Sequence, residues 1–336
     1  VVGVDKGGCS GYSYKLDFAK SDEIKDYDLI VKNDLKIFVD PKASMYLLGS
    51  EMDYKIDKLA SRFVFNNPNE KNISNFDLVL FSAGGERAQL YAKSFVDKGA
   101  FVIDNSSAFR MLDDVPLVVY GVNEEAITKS TKLISNPNCT TMGLVMSLKP
   151  LHDAFVLKSI TPTSYQAVSG SGTRAVESLE KELTLSDNLL SDYSEGFYGQ
   201  PVAKNVIPVA GNLLENGYSD EEMKFVNESR KILSMKNLIV EPSNARVGVK
   251  TGHGTFCSAV FENQVDVGSA INLLSQFDGV EYWSDKLATP LDAEGQNNVL
   301  VSRLRQGLSS NKILNFWVVS DNLLKGAALN LSLIHI

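Results

Sequence analysis

Ser135-Asn136-Pro137-Asn138-Cys139-Thr140-Thr141 joins a short apolar run, Lys132-Leu133-Ile134, to a second one in which Met142, Val145 and Met146 recur at helical spacing. The residue before a proline is held away from helical backbone, and asparagine favours turns. The stretch therefore predicts a buried strand, a tight turn and a helix that begins near Cys139 and stops at Pro150. A cysteine so placed faces backbone N–H groups that lack intrahelical partners and the positive end of the helix dipole. That field favours thiolate over thiol and draws the group from its reference pKa of about 8.5 toward neutrality. The same N–H groups are placed to hold an oxyanion forming on a substrate carbonyl. Cys139 reads as a nucleophile, and the plain alternative is a buried, inert thiol.

Outward from this unit the rhythm of strand and helix continues upstream. Leu78–Phe81 and Phe101-Val102-Ile103 are short apolar runs of the buried, parallel type, with a helix over about Arg87 to Lys98 between them. This is half of a doubly wound sheet. Downstream, a strand is expected near Ile160 to Val168, a helix over Thr173 to Leu183 and a polar loop over Ser186 to Gly199. Next come a helix over Glu221 to Leu233, strands around Leu238 to Val240, Ala245 to Val249 and Thr255 to Phe261, and a helix over Val267 to Phe277. A strand over Leu314 to Val319 and an amphipathic helix over Asp321 to Asn330 return toward the first unit.

Residues 1–70 are different in kind. Tyr12 to Phe18 alternates, Leu29 to Val31 and Leu35 to Val39 form a hairpin-like pair about Asn33-Asp34, and Phe63-Val64-Phe65 leads into Asn66-Asn67-Pro68-Asn69. The reading is thus α/β and α+β, in four parts: a β-rich segment at 1–70, a partial nucleotide-binding sheet at 71–138, a larger catalytic and dimerisation unit at 139–320, and a returning helix at 321–336. The closing residues Leu331 to Ile336 are odd for a helix end and read as a scar, so His335 is given no role.

The totals narrow the class of protein. The chain has 336 residues, 44% of them hydrophobic and 22% charged, which suits a globular protein of several domains. No apolar run is long enough for a membrane span and the start lacks the order of a signal peptide, so a cytoplasmic location is expected. Cys9, Cys139 and Cys257 are an odd number without paired spacing, as in a reducing compartment. A formal net charge of −8 argues against a nucleic-acid partner, and an anionic small-molecule substrate would need a local cationic pocket.

A thiol nucleophile needs a group that moves protons, and the chain has three histidines. His335 lies in the odd ending and His152 sits where a helix-end role suffices, which leaves His253 between Gly252 and Gly254 as the candidate general base. Arg110, Lys224 and Arg246 are the cations of interest, each with the alternative of a solvated surface charge. An Arg gripping a carboxylate through two parallel bonds, with a cationic pair for a phosphoryl group, would fit an acidic acyl phosphate. Ser169-Gly170-Ser171-Gly172 ends a strand and opens a helix, a common arrangement that suits a phosphate or amide. Gln166, just upstream, is placed to offer its amide to a carboxylate.

Taken together, Phe81-Ser82-Ala83-Gly84-Gly85, Asp104-Asn105-Ser106-Ser107-Ala108-Phe109-Arg110, Asn136-Pro137-Asn138-Cys139, Tyr165-Gln166-Ala167-Val168-Ser169-Gly170, Gly252-His253 and Trp317-Val318-Val319-Ser320-Asp321-Asn322 resemble the aspartate-semialdehyde dehydrogenases over about 72–330. The resemblance implies a Cys139 thioester with His253 as proton acceptor, and reductive dephosphorylation of 4-aspartyl phosphate in lysine, threonine and methionine biosynthesis. It further implies that Gln166 and Arg246 hold the amino-acid end of the substrate with Asn138 and Glu221 in support, that Arg110 and Lys224 hold phosphate, and that Ser169, Gly170 and Asn322 touch NADP. A homodimer is implied as well. Gly248 stands where that family has Pro, and Tyr120-Gly121 where it has Pro-Glu.

The opening Gly-rich phosphate loop of that family is missing, and weakened NADP binding is the expectation. In its place Gly7-Gly8-Cys9-Ser10-Gly11, Val39-Asp40-Pro41-Lys42 and Phe65-Asn66-Asn67-Pro68-Asn69 resemble an A-type, HesB-like iron–sulfur carrier. Its Cys-Gly-Cys tail is absent, and Cys9 alone falls short of the four thiolates a cluster usually takes, so neither a cluster nor a metal site is expected. Alternatives remain open: a related acyl-phosphate reductase, disfavoured by Asn138-Cys139-Thr140-Thr141 with Tyr165-Gln166; an iron–sulfur assembly carrier acting through residues 1–70; and an inactive chimera in which Leu78–Phe81, bereft of a neighbouring strand, exposes an edge.

Overall fold

Two sheets meet at the turn before Cys139. The computed structural model describes residues 76–335 except Asp192, without the side chains of Ser191 and His335; of the earlier residues it describes the backbone of six strands. These are β1 (Val2–Lys6), β2 (Tyr12–Leu16), β3 (Asp28–Lys32) and β4 (Leu35–Val39), in the sheet order β2-β1-β4-β3, and a ladder of β5 (Glu51–Ile56) with β6 (Ser61–Asn66). The expected hairpin is present, since β3 and β4 pair antiparallel with Lys32 opposite Leu35. Cys9 lies outside the described residues.

The first described core is the three-stranded parallel sheet of β7 (Leu78–Phe81), β8 (Phe101–Asp104) and β9 (Leu133–Ser135), in that order. Helix α1 (Gly85–Asp97) covers one face, burying Ala88 and Ala92, one helical turn apart, with Phe81 and Val102. Its chain reverses at Gly99, whose φ of +97° requires glycine. As expected, β7 is an edge strand bonded only to β8 among the described elements, and Leu80 is half exposed.

Helix α2 (Cys139–Phe155) does not stop at Pro150, contrary to expectation; it continues for five more residues. The proline removes one helical hydrogen bond at about 3 kcal/mol. On either side, Met142, Leu144, Val145, Met146, Leu148 and Leu151 are fully buried in the main core. At about 1.5–3 kcal/mol per buried side chain, packing outweighs the defect. The helix ends at Val156, and His152 caps the exit by accepting the Leu157 N–H on Nδ1 at 3.1 Å.

The second sheet has eight strands: β10 (Leu157–Gln166), β11 (Val206–Ile207), β12 (Ile239–Val240), β13 (Ser243–Val247), β14 (His253–Phe261), β15 (Val280–Trp283), β16 (Val299–Gln306) and β17 (Ile313–Ser320). Their order is β11-β13-β10-β14-β17-β16-β15, with β12 also on β10. Helices α2, α5 (Asp220–Ile232) and α6 (Val267–Gln276) contribute to the main core with this sheet. Helix α3 (Thr173–Leu183) has its expected ends and covers a smaller cluster with Val202 and Ile207. The stretch read as loop over Ser186 to Gly199 contains a short helix, α4 (Asp187–Ser191); its polar composition conceals Leu190, which is buried. Strands β15 and β16 and the short helix α7 (Pro290–Ala293) fill a region the pattern had left unassigned. Gly248 has a packing reason, because a Cβ there would lie 2.6 Å from the Val202 carbonyl oxygen.

The expected helix over Asp321 to Asn330 takes another form. Asp321 Oδ1 accepts the N–H groups of Leu323 and Leu324, and a π-helical turn over Leu324–Leu329 follows, in which Gly326 N–H reaches Asp321 O. Helix α8 (Asn330–His335) then buries Leu331 and Ile334, residues read as part of an extraneous ending, against Ile103, Val118 and Ile134. Asn330 locks the return: its Nδ2 donates to Val118 O at 2.9 Å and Asn136 Oδ1 at 2.6 Å, and its Oδ1 accepts from Tyr120 N–H at 3.0 Å. Asn330→Ala leaves these buried groups unpaired and should lower unfolding free energy by about 2–4 kcal/mol, read from urea titrations with an unchanged slope.

Candidate functional site

The turn Asn136-Pro137-Asn138 delivers Cys139 as the first residue of α2, where Asn138 is the N-cap and its Oδ1 accepts the Thr140 N–H at 3.1 Å. Of the first-turn N–H groups, that of Thr140 is committed to Asn138 Oδ1, and that of Met142 makes the first regular helical bond, to Asn138 O. Cys139 is partly exposed at the mouth of a cleft of about 190 Å³. Gln166, Arg246, His253, Asn138, Glu221, Arg110, Lys224 and Gly170 line the same cleft, so nearly all of the candidate residues converge.

Sheet register explains part of the convergence. Gln166 ends β10 directly opposite Arg246 on the parallel strand β13, and Tyr165 of β10 faces Gly254 of the antiparallel strand β14, next to His253. The turn between Arg246 and His253 therefore brings both to one end of the sheet. Arg246 is 5% exposed; its Nη1 donates to Ala167 O at 2.7 Å, and its Nε has no partner. Gln166 donates to Ser164 Oγ at 3.3 Å.

His253 is almost fully buried, and burial, aided by the Arg246 charge, pushes its pKa down to about 3. The ring is neutral at physiological pH. Its Nδ1 accepts the Ala167 N–H at 3.0 Å, which leaves the ring hydrogen on Nε2, and Nε2 has no partner. The resemblance implies an acceptor, whereas in this state the unpaired nitrogen is a donor. A Cβ at Gly170 would lie 3.0 Å from this Nε2, so glycine keeps it open.

At the other end of the cleft the charges are arranged in pairs. Arg110 is buried, with Nη1 on Glu228 Oε1 at 3.0 Å, Nη2 on Asn105 O at 2.9 Å and Nε unpaired. Lys224 is bonded to Glu221; burial opposes its charge, but the carboxylate prevails and holds its pKa above the ordinary lysine value. Glu221 Oε2 accepts from Asn138 Nδ2 at 3.0 Å, and Glu228 Oε2 accepts the Asn138 N–H at 2.7 Å.

Ser169 and Asn322 are not brought into the cleft. They are buried behind it, where their side chains bond to each other and Asn322 also accepts the Gly252 N–H. Two contributors escaped the sequence reading. Glu228 looks like one more charge on a charged helix, and only its face, shared with Glu221 and Lys224 at helical spacing, could have marked it. Gly326 gives no local signal, yet a Cβ there would lie 2.5 Å from that of Cys139. Among the described residues, no cluster of His, Cys, Asp or Glu is suited to hold a metal, and no helix is long and apolar enough to cross a membrane.

A semialdehyde dehydrogenase NAD-binding domain matches residues 44–130, a semialdehyde dehydrogenase dimerisation domain matches 148–325, and an iron–sulphur cluster biosynthesis family matches 1–76. The aspartate-semialdehyde dehydrogenase of Corynebacterium glutamicum is 43% identical over 278 residues, 78% of this chain and 80% of that protein. The crystal structure of aspartate semialdehyde dehydrogenase II from Vibrio cholerae has a TM-score of 0.75 at 35% identity, covering 84% of this chain and 85% of that one. A Candida albicans aspartate semialdehyde dehydrogenase solved with NADP has a TM-score of 0.60 at 25% identity, covering 77% and 76%.

Because the folded pKa of His253 lies below the unfolded value near 6.5, the unfolded chain binds the extra proton between about pH 6.5 and 3. Stability is fully present above pH 6.5 and falls as pH drops through that window, by up to roughly 1.4 kcal/mol per pH unit from this group. His253→Gln should remove that part of the slope in denaturation curves between pH 6.5 and 4.5. Gly326→Ala should cut the alkylation rate of Cys139 at least about ten-fold by displacing it, a loss of about 1.4 kcal/mol, read by peptide mass spectrometry.

Proposed function

The chain belongs to the aspartate-semialdehyde dehydrogenase family, and from that premise we propose that it reduces 4-aspartyl phosphate to aspartate semialdehyde through a thioester on Cys139. The observation that carries this reading is one cleft in which a helix-first cysteine shares walls with three buried, unpaired nitrogens, Arg110 Nε, Arg246 Nε and His253 Nε2. Buried polar atoms are seldom left unpaired, and at residues that line a cleft such exceptions suit a ligand's acceptors.

In the proposed sequence Arg246 and Gln166 hold the amino-acid end of the substrate, with Glu221 and Asn138 as supports. Arg110 and Lys224 receive the phosphoryl group, Arg110 through its unpaired Nε while Glu228 keeps its hold, and phosphate competes with Glu221 for Lys224. Cys139 attacks the acyl carbon as its thiolate, the form the helix N-terminus favours, the C–O bond to phosphate breaks, and phosphate leaves with the electron pair. His253 Nε2–H donates to the oxyanion of the tetrahedral species and remains neutral throughout. Proton acceptance at Nε2 would first require the ring to give up its Ala167 bond.

A nicotinamide cofactor suits Gly84 and Gly85 at the start of α1 and Gly170 beside His253, where missing side chains leave room on the cleft wall. When bound, it supplies the hydride that converts the thioester to the aldehyde. NADP is the proposed form, and weak binding is expected without a Gly-rich loop. Homodimerisation through the larger unit and a cytoplasmic location complete the reading.

Incubation with 4-aspartyl phosphate alone should leave an aspartyl group on the Cys139 peptide, released by hydroxylamine, and none in Cys139→Ser. Absence of the adduct in the parent protein refutes the reading. Titration calorimetry with NADP should give a dissociation constant at least about ten-fold weaker than that of the Corynebacterium glutamicum relative, equivalent to about 1.4 kcal/mol. Equal affinity refutes the weakened-cofactor part alone. An inactive chimera would form neither adduct nor complex.

A further inference from the structure

Helix α5 carries Glu221, Lys224, Glu228 and Lys231 at spacings of three and four residues, so the four share one face. The first three meet the cleft network. Lys231 lies one turn beyond, and its Nζ donates to Arg110 O at 2.8 Å, Leu112 O at 2.6 Å and Val115 O at 2.8 Å. An ammonium has three donors, and here all three close a single turn of backbone. That turn begins at Arg110. Glu228, one helical turn earlier, holds the guanidinium of the same residue at 3.0 Å.

Arg110 is therefore fixed at both ends from one helix, its carbonyl by Lys231 and its side chain by Glu228. Because Glu228 also binds the N–H of Asn138, the same helix sets the distance between this arginine and the nucleophile. Arginine's rigid fork gains its selectivity for phosphoryl oxygens from fixed geometry, and small displacements of such a group weaken binding. We propose that Lys231 is a positioning residue for the phosphate subsite, holding the Arg110 backbone so that its unpaired Nε meets the phosphoryl group next to Cys139. This rests on the reading of Arg110 as a phosphate ligand.

The test uses the full chain and needs no turnover. Iodoacetamide alkylation of Cys139 is followed by peptide mass spectrometry as inorganic phosphate is increased, and the half-protecting concentration is read for the parent, Arg110→Leu, Lys231→Met, Lys231→Gln and Lys231→Arg. Lys231→Met should raise that concentration about ten-fold, Lys231→Gln, with two donors, by less, and Lys231→Arg should restore it to within about three-fold of the parent. Protection by aspartate semialdehyde should shift less than about two-fold, which separates a phosphate-specific effect from general loosening of the fold. If Lys231→Met does not fold, Lys231→Gln supplies the comparison. An unchanged phosphate requirement in the Lys231 variants while Arg110→Leu shifts it overturns the proposal, as do equal shifts for phosphate and aldehyde, or no rescue by arginine or glutamine. No shift in Arg110→Leu itself overturns instead the phosphate reading of Arg110.

Discussion

Asn138 is the point on which both sheets and the cleft converge. Its side-chain oxygen caps α2, its amide nitrogen reaches Glu221, and its main-chain N–H reaches Glu228. One residue thereby fixes the first turn of the helix that carries the thiol, ties that turn to α5, and connects it through Glu228 to Arg110. The neighbouring Asn136 extends the network to Asn105 and to Asn330 of the returning helix. Such buried polar networks are costly when incomplete and rigid when satisfied, which suits a site whose parts come from distant stretches of chain.

The electrostatics of the cleft follow from this scaffold. Arg110 and Lys224 bring two positive charges and Glu228 and Glu221 two negative ones, each pair in direct contact. Removing one partner of a buried pair leaves an uncompensated charge, so the cations are secured before any substrate arrives. Among the described residues Arg246 has no carboxylate partner; it bonds the Ala167 carbonyl and lies over the Tyr198 ring, 5.7 Å away. Its charge, added to burial, keeps His253 neutral, and the neutral ring is what allows the Ala167 N–H to set the position of the ring hydrogen.

Much of this was legible from local pattern. Helix α3 has the expected ends, and the parallel strands β7, β8 and β9 announce themselves as short apolar runs between polar turns. Where the reading failed, tertiary packing overrode a local rule: Pro150 breaks a helix in isolation but not one buried along both flanks, and Leu190 is hidden in a polar stretch. At the site, the turn before Cys139 was readable because its chemistry is local. His253 is reached by elimination among three histidines, but the roles of Arg246 and Arg110 come from the resemblance, since no spacing rule links residues on separate strands and loops. The side chains of Ser169 and Asn322 pair with each other, which neither local stretch of sequence announces. Glu228 and Gly326 act through contacts that exist only once α5 and the C-terminal turn are docked.

The π-helical turn over Leu324–Leu329 amounts to one extra residue inserted into an otherwise ordinary helical path. Deleting a single residue there would relax the segment to regular winding and leave Leu331 and Ile334 in phase on the parallel sheet, whereas deleting one from the regular turn that follows would rotate what lies beyond it by about 100° about the axis. The cost would fall on the wall behind the sulfur, where Gly326 now sits, which would change shape. The extra residue thus sculpts the floor of the cleft without turning the far end of the chain.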